Sequence, residues 1–264
     1  MMKKLLLALA LLVLLADLLA AARFRWQVEK DVTYKVTSYV RELRYLNSQY
    51  HSTIDIRNKA LLTAVAVNSN KTSAFYKGEF QYYEREAGAT NQPFNLKEVY
   101  PTEFWRDAQG RYAIDDKFYM PVVRDVPVFP DRDIAPGEMW RADGHEMHDL
   151  KSYGLTKAYR IPINARYIYV GDRIVNGRKA ALFSITYVFN HYGNIDLSGY
   201  IRKANAVLGR YRNDPQQYQI LKTQYEDELS RMQRAPQRIS GSCIQLYYWD
   251  IEAGLPLTMS EDFH

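Results

Sequence analysis

Cysteine is almost missing from this chain: Cys243 is the only one in 264 residues. An internal disulfide is therefore excluded, and stability has to come from packing. Cys243 lies in an apolar, strand-like run, which reads as a buried, inert thiol. The usual signatures of catalysis are missing as well. There is no glycine-rich phosphate loop, no Gly-x-Ser-x-Gly elbow and no Cys-x-x-Cys pair. A strong excess of one charge is also lacking. The formal net charge is +5, and taking away Lys3, Lys4 and Asp17, two cations and one anion, leaves +4. That modest surplus is spread along the chain. It permits contact with anionic envelope polymers and gives no reason to expect nucleic-acid binding.

What is present is apolar and aromatic. Hydrophobic residues make up 47% of the chain, a globular value, and 22 residues are tyrosine. Tyr, Val, Ile, Phe and Thr favour strands, and here many recur in alternation. The first 22 residues have the layout of an export signal: Lys3 and Lys4, an apolar run from Leu5 to Ala16, then Ala20-Ala21-Ala22. Cleavage there predicts a mature start near Arg23. An uncleaved anchor is the rival reading. It is disfavoured by Asp17 and by a run short for the ~30 Å of a bilayer core. No cysteine stands near the site for lipoprotein processing.

The stretch Tyr119–Trp140, YMPVVRDVPVFPDRDIAPGEMW, holds four of the ten prolines. Proline fixes φ and removes a donor, so this is neither a central strand nor a helix. Its Met, Val, Phe and Trp content excludes a solvated linker, which leaves an extended, buried crossover between two strand sets. Ala135-Pro136-Gly137-Glu138 is a turn signal at its end. Before it, alternation predicts strands at Phe24–Val28, Val32–Tyr45, Tyr50–Val67 and Phe75–Tyr83. Turns are expected at Lys30-Asp31, Asn47-Ser48 and Asn68-Ser69-Asn70, and a polar loop at 87–93. Leu96–Trp105 reads as a short helix or irregular packing segment, followed by a turn at Asp107–Gly110 and a short strand at Arg111–Ile114.

After the crossover, Glu138–Met147 is extended and Asp149–Tyr153 a loop. Tyr159–Val170 places Tyr159, Ile161, Ile163, Ala165, Tyr167 and Tyr169 on one face. Asn176-Gly177 tolerates positive φ at both central turn positions, so Val175–Arg178 is a hairpin, returning through Lys179–Tyr192. The period then becomes helical from Leu197 to Arg234. Ile201, Ala204, Leu208 and Tyr211 form one stripe, and Tyr218, Leu221, Tyr225 and Leu229 a second. Asp214 caps the second helix ahead of Pro215. Ile239–Trp249 and Leu255–Met259 close the chain as strands around a turn at Asp250–Gly254. The fold expected is mainly β: a curved antiparallel sheet, half-barrel or β-sandwich with a helical hairpin inserted at 197–234. Residues 23–264 form a single β-rich domain in this reading.

No catalytic, cofactor or metal residues are assigned. His145-Glu146-Met147-His148 is not the zinc-binding spacing, because its histidines lie three apart and face oppositely in a strand. His191 joins them only through folding. Asp131, Asp133, Glu138 and Asp143 flank the crossover. Paired carboxylates can hydrolyse glycosides, yet turn capping is the commoner use. Arg124, Asp125, Arg132 and Asp133 offer ion pairs that lock the crossover. Asn70-Lys71-Thr72 matches a glycosylation sequon, which matters only on a eukaryotic secretory route. The tyrosine-rich strands read as core before they read as a sugar-stacking or apolar cleft.

Four runs carry a resemblance: FYMPVVRDVPVFPDRDIAPGEMW, YRIPINARYIYVGDRIVNGRKA, YYWDIEAGLPL and the early TYKVTSYVRELRYLNSQYHSTIDIRNK. Together they look like the N-terminal β domain of spirochaete (Treponema-like) OmpA-family envelope proteins. The likeness spans most of residues 23–264 except the helical insert, where that family implies a shorter connection. In the family a C-terminal OmpA-like domain binds peptidoglycan; no residue here matches its motif. The β domain is also more loosely similar to periplasmic half-barrels that carry lipids or lipoproteins. The resemblance implies a non-enzymatic exported protein, periplasmic or outer-membrane-associated, acting as a structural or interaction module. Its partners would be envelope proteins or a peptidoglycan-associated assembly. The alternative is a carrier holding lipid or another apolar ligand in a curved sheet.

Overall fold

The computed structural model describes residues 21–46, 49–148, 159–192, 197–233 and 238–264. The export-signal residues up to Ala20, the Asn47-Ser48 turn and the 149–153 loop lie outside the described residues. Among the described residues the fold is mainly β, with two antiparallel sheets and one pair of helices, and one sheet is curled into a half-barrel. The first sheet is a meander of β1 (Thr33–Leu46), β2 (Gln49–Val67), β3 (Ser73–Glu86), β4 (Asn95–Asp107) and β5 (Tyr112–Ile114), in that spatial order. The second runs β11 (Leu255–Phe263), β10 (Arg238–Asp250), β9 (Arg178–Tyr192), β8 (Tyr159–Val175), β7 (Met139–His148) and β6 (Val123–Arg124). Every neighbour in both sheets is also a neighbour in sequence, so each sheet is a meander, with the helices inserted between β9 and β10. Asn176 and Gly177 have φ of 51° and 77°, the primed turn their sequence requires.

Two segments differ from their sequence reading. Leu96–Trp105 is neither helical nor irregular: it lies within β4. Thr102, Phe104 and Arg106 alternate inward along it, the period of a strand. Pro101 is tolerated because β5 pairs only with Phe104–Arg106, leaving β4 an edge at that point. Phe24–Val28 is extended but joins no ladder. The Trp26 N–H donates to the Ala108 carbonyl at 2.8 Å and the Gln27 N–H to that of Gly254 at 3.0 Å. The segment is threaded between elements, and its alternation reflects burial of Phe24 and Trp26 rather than strand pairing.

Residues 115–138 join the two sheets, as the proline content predicts, and their polar groups are tied to both. On one side Thr102 Oγ1 donates to the Met120 carbonyl at 2.8 Å. On the other, the Met147 N–H donates to the Val122 carbonyl at 2.8 Å and Trp140 Nε1 to that of Val128 at 2.9 Å. The Met120–Pro121 and Val126–Pro127 peptide bonds are cis. Ala135–Glu138 is the expected turn, closed by the Glu138 N–H on the Ala135 carbonyl at 3.0 Å, with Gly137 at φ 84°. Gly110 shows how closely the elements approach. Its φ is 101°, and a Cβ there would lie 2.3 Å from the Pro127 carbonyl oxygen and 2.5 Å from Trp26 Nε1.

The main core fills the concave face of the second sheet. Ile161, Ile163, Ala165, Tyr167 and Tyr169 of β8 and Phe183, Ile185, Tyr187 and Phe189 of β9 point inward, as their alternation predicts. Phe24, Trp26, Phe129 and Ile134 occupy the concavity against them. A smaller core lies at the base of the first sheet, around Leu62, Tyr76 and Phe104.

The helices α1 (Ser198–Arg210) and α2 (Pro215–Gln233) stand between β9 and β10. Asp214 Oδ1 accepts the Gln217 N–H at 3.0 Å, as expected of a cap. Their seam is narrower than the sequence stripe suggests. Tyr200 donates to Glu228 at 2.6 Å and meets the Tyr225 ring, while Ile201 and Tyr211 stay exposed. Among the described residues the main packing of the helices is on each other, and two helices without an extensive third layer bury little more than one line of contact.

Candidate functional site

The inner face of the second sheet brings together polar groups of β7, β9, β10 and β11, in one case across an intervening strand. Tyr187 of β9 donates across β8 to Glu146 of β7, with Oη 2.8 Å from Oε1. The other Glu146 oxygen lies 3.2 Å from His148 Nε2. Cys243 of β10 places Sγ 3.5 Å from Glu261 of β11, which also accepts from Gln245 Nε2 at 3.3 Å. Glu146 and Gln245 are both buried. Burial holds the Tyr187 hydroxyl protonated far above its ordinary range, with the Glu146 carboxylate adding to the shift. His191 does not join this chain but pairs with the Tyr159 hydroxyl at 2.9 Å. The sequence reading named Glu146 only within the His145–His148 run and missed Tyr187 and Glu261 as its neighbours on this face. Strand alternation gives their common face, but strand order and register make them neighbours.

Cys243 is buried, as its apolar setting predicts. Burial pushes its thiol up to about 12, and the thiolate is the reactive form. Folded protein at pH 8 is therefore expected to leave Cys243 unmodified by a disulfide reagent over hours, and protein unfolded in urea to react at once. Fast modification of the folded form contradicts the assigned environment.

His145 and His148 do face oppositely. His145 is on the outer side of β7, its Nδ1 3.3 Å from Asp125 and 3.2 Å from Arg160. Among the described residues no three His, Cys, Asp or Glu side chains form a cation-holding group. The crossover carboxylates are occupied structurally. Asp131 pairs with Arg25 at 2.6 Å and Asp133 with Arg23 at 3.0 Å. Glu138 pairs with Arg132 and caps the Ala135 N–H, and Asp143 accepts from Asn164 at 2.7 Å. The ion pairs expected within Arg124, Asp125, Arg132 and Asp133 do not form. Asp133 and Arg132 reach outward, and Arg124 binds backbone carbonyls instead. Asn70 sits in the exposed β2–β3 turn, accepting from Thr72 Oγ1 at 2.9 Å.

The second arrangement is on the surface of the first sheet. Its register sets Tyr39, Arg57 and Tyr83 in one row across β1, β2 and β3, and Arg41, Asp55 and Arg85 in the next. The Arg57 guanidinium lies over Tyr83 and Phe94 at 4.5 and 4.8 Å, and that of Arg85 over Phe94 at 4.3 Å. Arg41 and Arg85 both bond Asp55, at 2.9 and 3.2 Å. The same face leaves Tyr39 70% and Leu43 53% exposed. Two guanidinium groups, Arg41 and Arg85, thus share one carboxylate, beside Arg57 stacked on aromatic rings, on a face carrying exposed apolar side chains.

Asp55 depends on that pairing. The Arg41 hydrogen bond, helped by Arg85, holds its carboxyl below the usual range. A depressed carboxyl contributes stability that is present above the unfolded-state value and is lost as pH falls through the folded one. Amides of β2 and β3 around Asp55 are expected to keep their exchange protection down to about pH 4 and lose it below. Asp55→Asn is expected to flatten this acid dependence. An unchanged acid profile in the variant contradicts the assignment.

Comparisons of the chain with protein-family models, curated proteins and solved structures find no match.

Proposed function

We propose that the chain is an exported cell-envelope protein that acts by binding rather than by catalysis, with the outer part of the first sheet as its contact surface. The observation that carries this is the exposure of Tyr39 and Leu43 beside the three guanidinium groups, on strands that run well past the core at their base. Contiguous exposed apolar surface marks interaction sites. The export layout of residues 1–22 and the resemblance to spirochaete OmpA-family β domains support an envelope setting. The carrier reading has less support, because Phe24, Trp26, Phe129 and Ile134 of the chain itself fill the concavity a ligand would need.

The test uses purified protein and the envelope fraction of source cells. Wild-type protein is expected to sediment saturably with that fraction. The double variant Tyr39→Ser/Leu43→Ser, with an unchanged urea midpoint, is expected to stay in solution. Equal sedimentation of the two removes the first sheet as the contact surface.

A further inference from the structure

The partner of this surface can be narrowed from the way charge divides between the two faces of the first sheet and interleaves with apolar side chains on one of them. Strand alternation places Lys35, Arg41, Arg57, Lys59, Lys77 and Arg85 on one face, against Asp55, Glu79 and Glu103. The opposite face carries Glu42, Glu84, Glu86 and Glu98 toward its outer end, with Lys97 3.9 Å from Glu84. The sheet is therefore polar through its thickness. The basic face shows Tyr39, Leu43, Leu61 and Val99 to solvent, each 41% exposed or more, whereas on the opposite face Val36 and Val40 of β1 are 51% and 46% exposed. Register interleaves them with the cations: Lys35 stands beside Leu61, and a row runs Thr37, Lys59, Gln81, Val99.

From this we infer that the basic face of the first sheet lies against an anionic lipid bilayer surface. The inference rests on the reading of that sheet as a contact surface. Planar guanidinium groups pair with phosphate oxygens, and lysine and arginine are drawn to an anionic leaflet. Tyrosine and leucine side chains settle at the boundary between headgroups and acyl chains, as apolar faces of interfacial elements do. A protein partner would cover the apolar side chains without requiring this cation surplus. A polyanion in solution would use the cations and leave Leu43, Leu61 and Val99 in water. A bilayer surface engages both, and the carboxylates of the opposite face fix which side approaches.

The experiment reads partitioning onto vesicles. Leu43→Trp supplies the probe, and binding is followed by its blue shift. Vesicles of roughly one-third phosphatidylglycerol are expected to bind about tenfold or more tightly than pure phosphatidylcholine, with the difference shrinking as salt rises. Lys35→Glu/Lys59→Glu is expected to abolish the preference, while Glu98→Lys on the opposite face leaves it intact. Absence of partitioning, equal affinity for neutral vesicles, or equal loss in the Glu98 variant overturns the proposal. Binding of a soluble polyanion without any blue shift on vesicles overturns it in favour of a polymer partner. If vesicles fail while the Tyr39→Ser/Leu43→Ser variant still loses the envelope fraction, only the lipid assignment falls. If that variant keeps the envelope fraction, the contact-surface reading falls with it.

Discussion

Replacing Phe183 with alanine is expected to lower unfolding stability by about 3–5 kcal/mol, read as a fall in urea midpoint at unchanged slope. Phe183 is fully buried. Its ring centroid lies 4.9 Å from that of Phe24, 5.3 Å from those of Phe129 and Tyr169, and 5.9 Å from that of Trp140. Those four rings come from the N-terminal segment, the crossover, β8 and β7. The loss therefore unseats the fit among four elements, and no single neighbour can move to close the gap without releasing another. Phe183→Leu keeps part of the volume and should cost clearly less. A small effect for the alanine variant would mean that the concavity is not packed as described.

Arg124→Met is the second large effect, expected at about 3 kcal/mol or more. Arg124 is completely buried, yet it has no direct carboxylate bond among its hydrogen-bond partners in the crossover. Its guanidinium donates to the carbonyls of Pro121 at 3.1 Å, of Tyr119 at 3.3 Å and, closest, of Phe118. Those carbonyls belong to the proline-rich bend, where no ladder is on hand to satisfy them. Methionine fills the space but leaves the acceptors buried and unpaired, which costs more than the net value of the bonds. Arg124→Lys is expected to rescue little, because one ammonium cannot reproduce a planar fork. Equal stability of Arg124→Met and wild type would contradict the role given to this side chain.

Much of the fold could be read from the sequence where local chemistry decides. Asn176-Gly177 dictates its turn, the alternation of β8 and β9 matches their burial, and the prolines of 119–140 exclude a central strand and a helix there, leaving only the short edge strand β6 within the crossover. The reading failed where tertiary context overrides the local signal. Leu96–Trp105 reads locally as a short helix or irregular segment, yet it pairs with β3, and an open strand edge accommodates Pro101. The alternation of Phe24 and Trp26 suggested pairing, yet those residues fill a concavity. The contact face was not readable at all. Tyr39, Arg57 and Tyr83 share a row only because of the β1–β2 and β2–β3 registers. Those registers include shifts between Arg44 and Tyr45 and between Ala64 and Ala66 that no periodicity announces. The buried Glu146–Tyr187 bond was hidden for a similar reason, since it crosses an intervening strand.

The proposed contact lies on the outer part of the first sheet. Hydrogen exchange of the protein alone and bound to the envelope fraction tests it most directly. The account predicts new protection at residues 35–43, 53–61 and 81–99, with the helices α1 and α2 and the strands β8 to β10 unchanged. Protection confined to the helices or to the second sheet would contradict it.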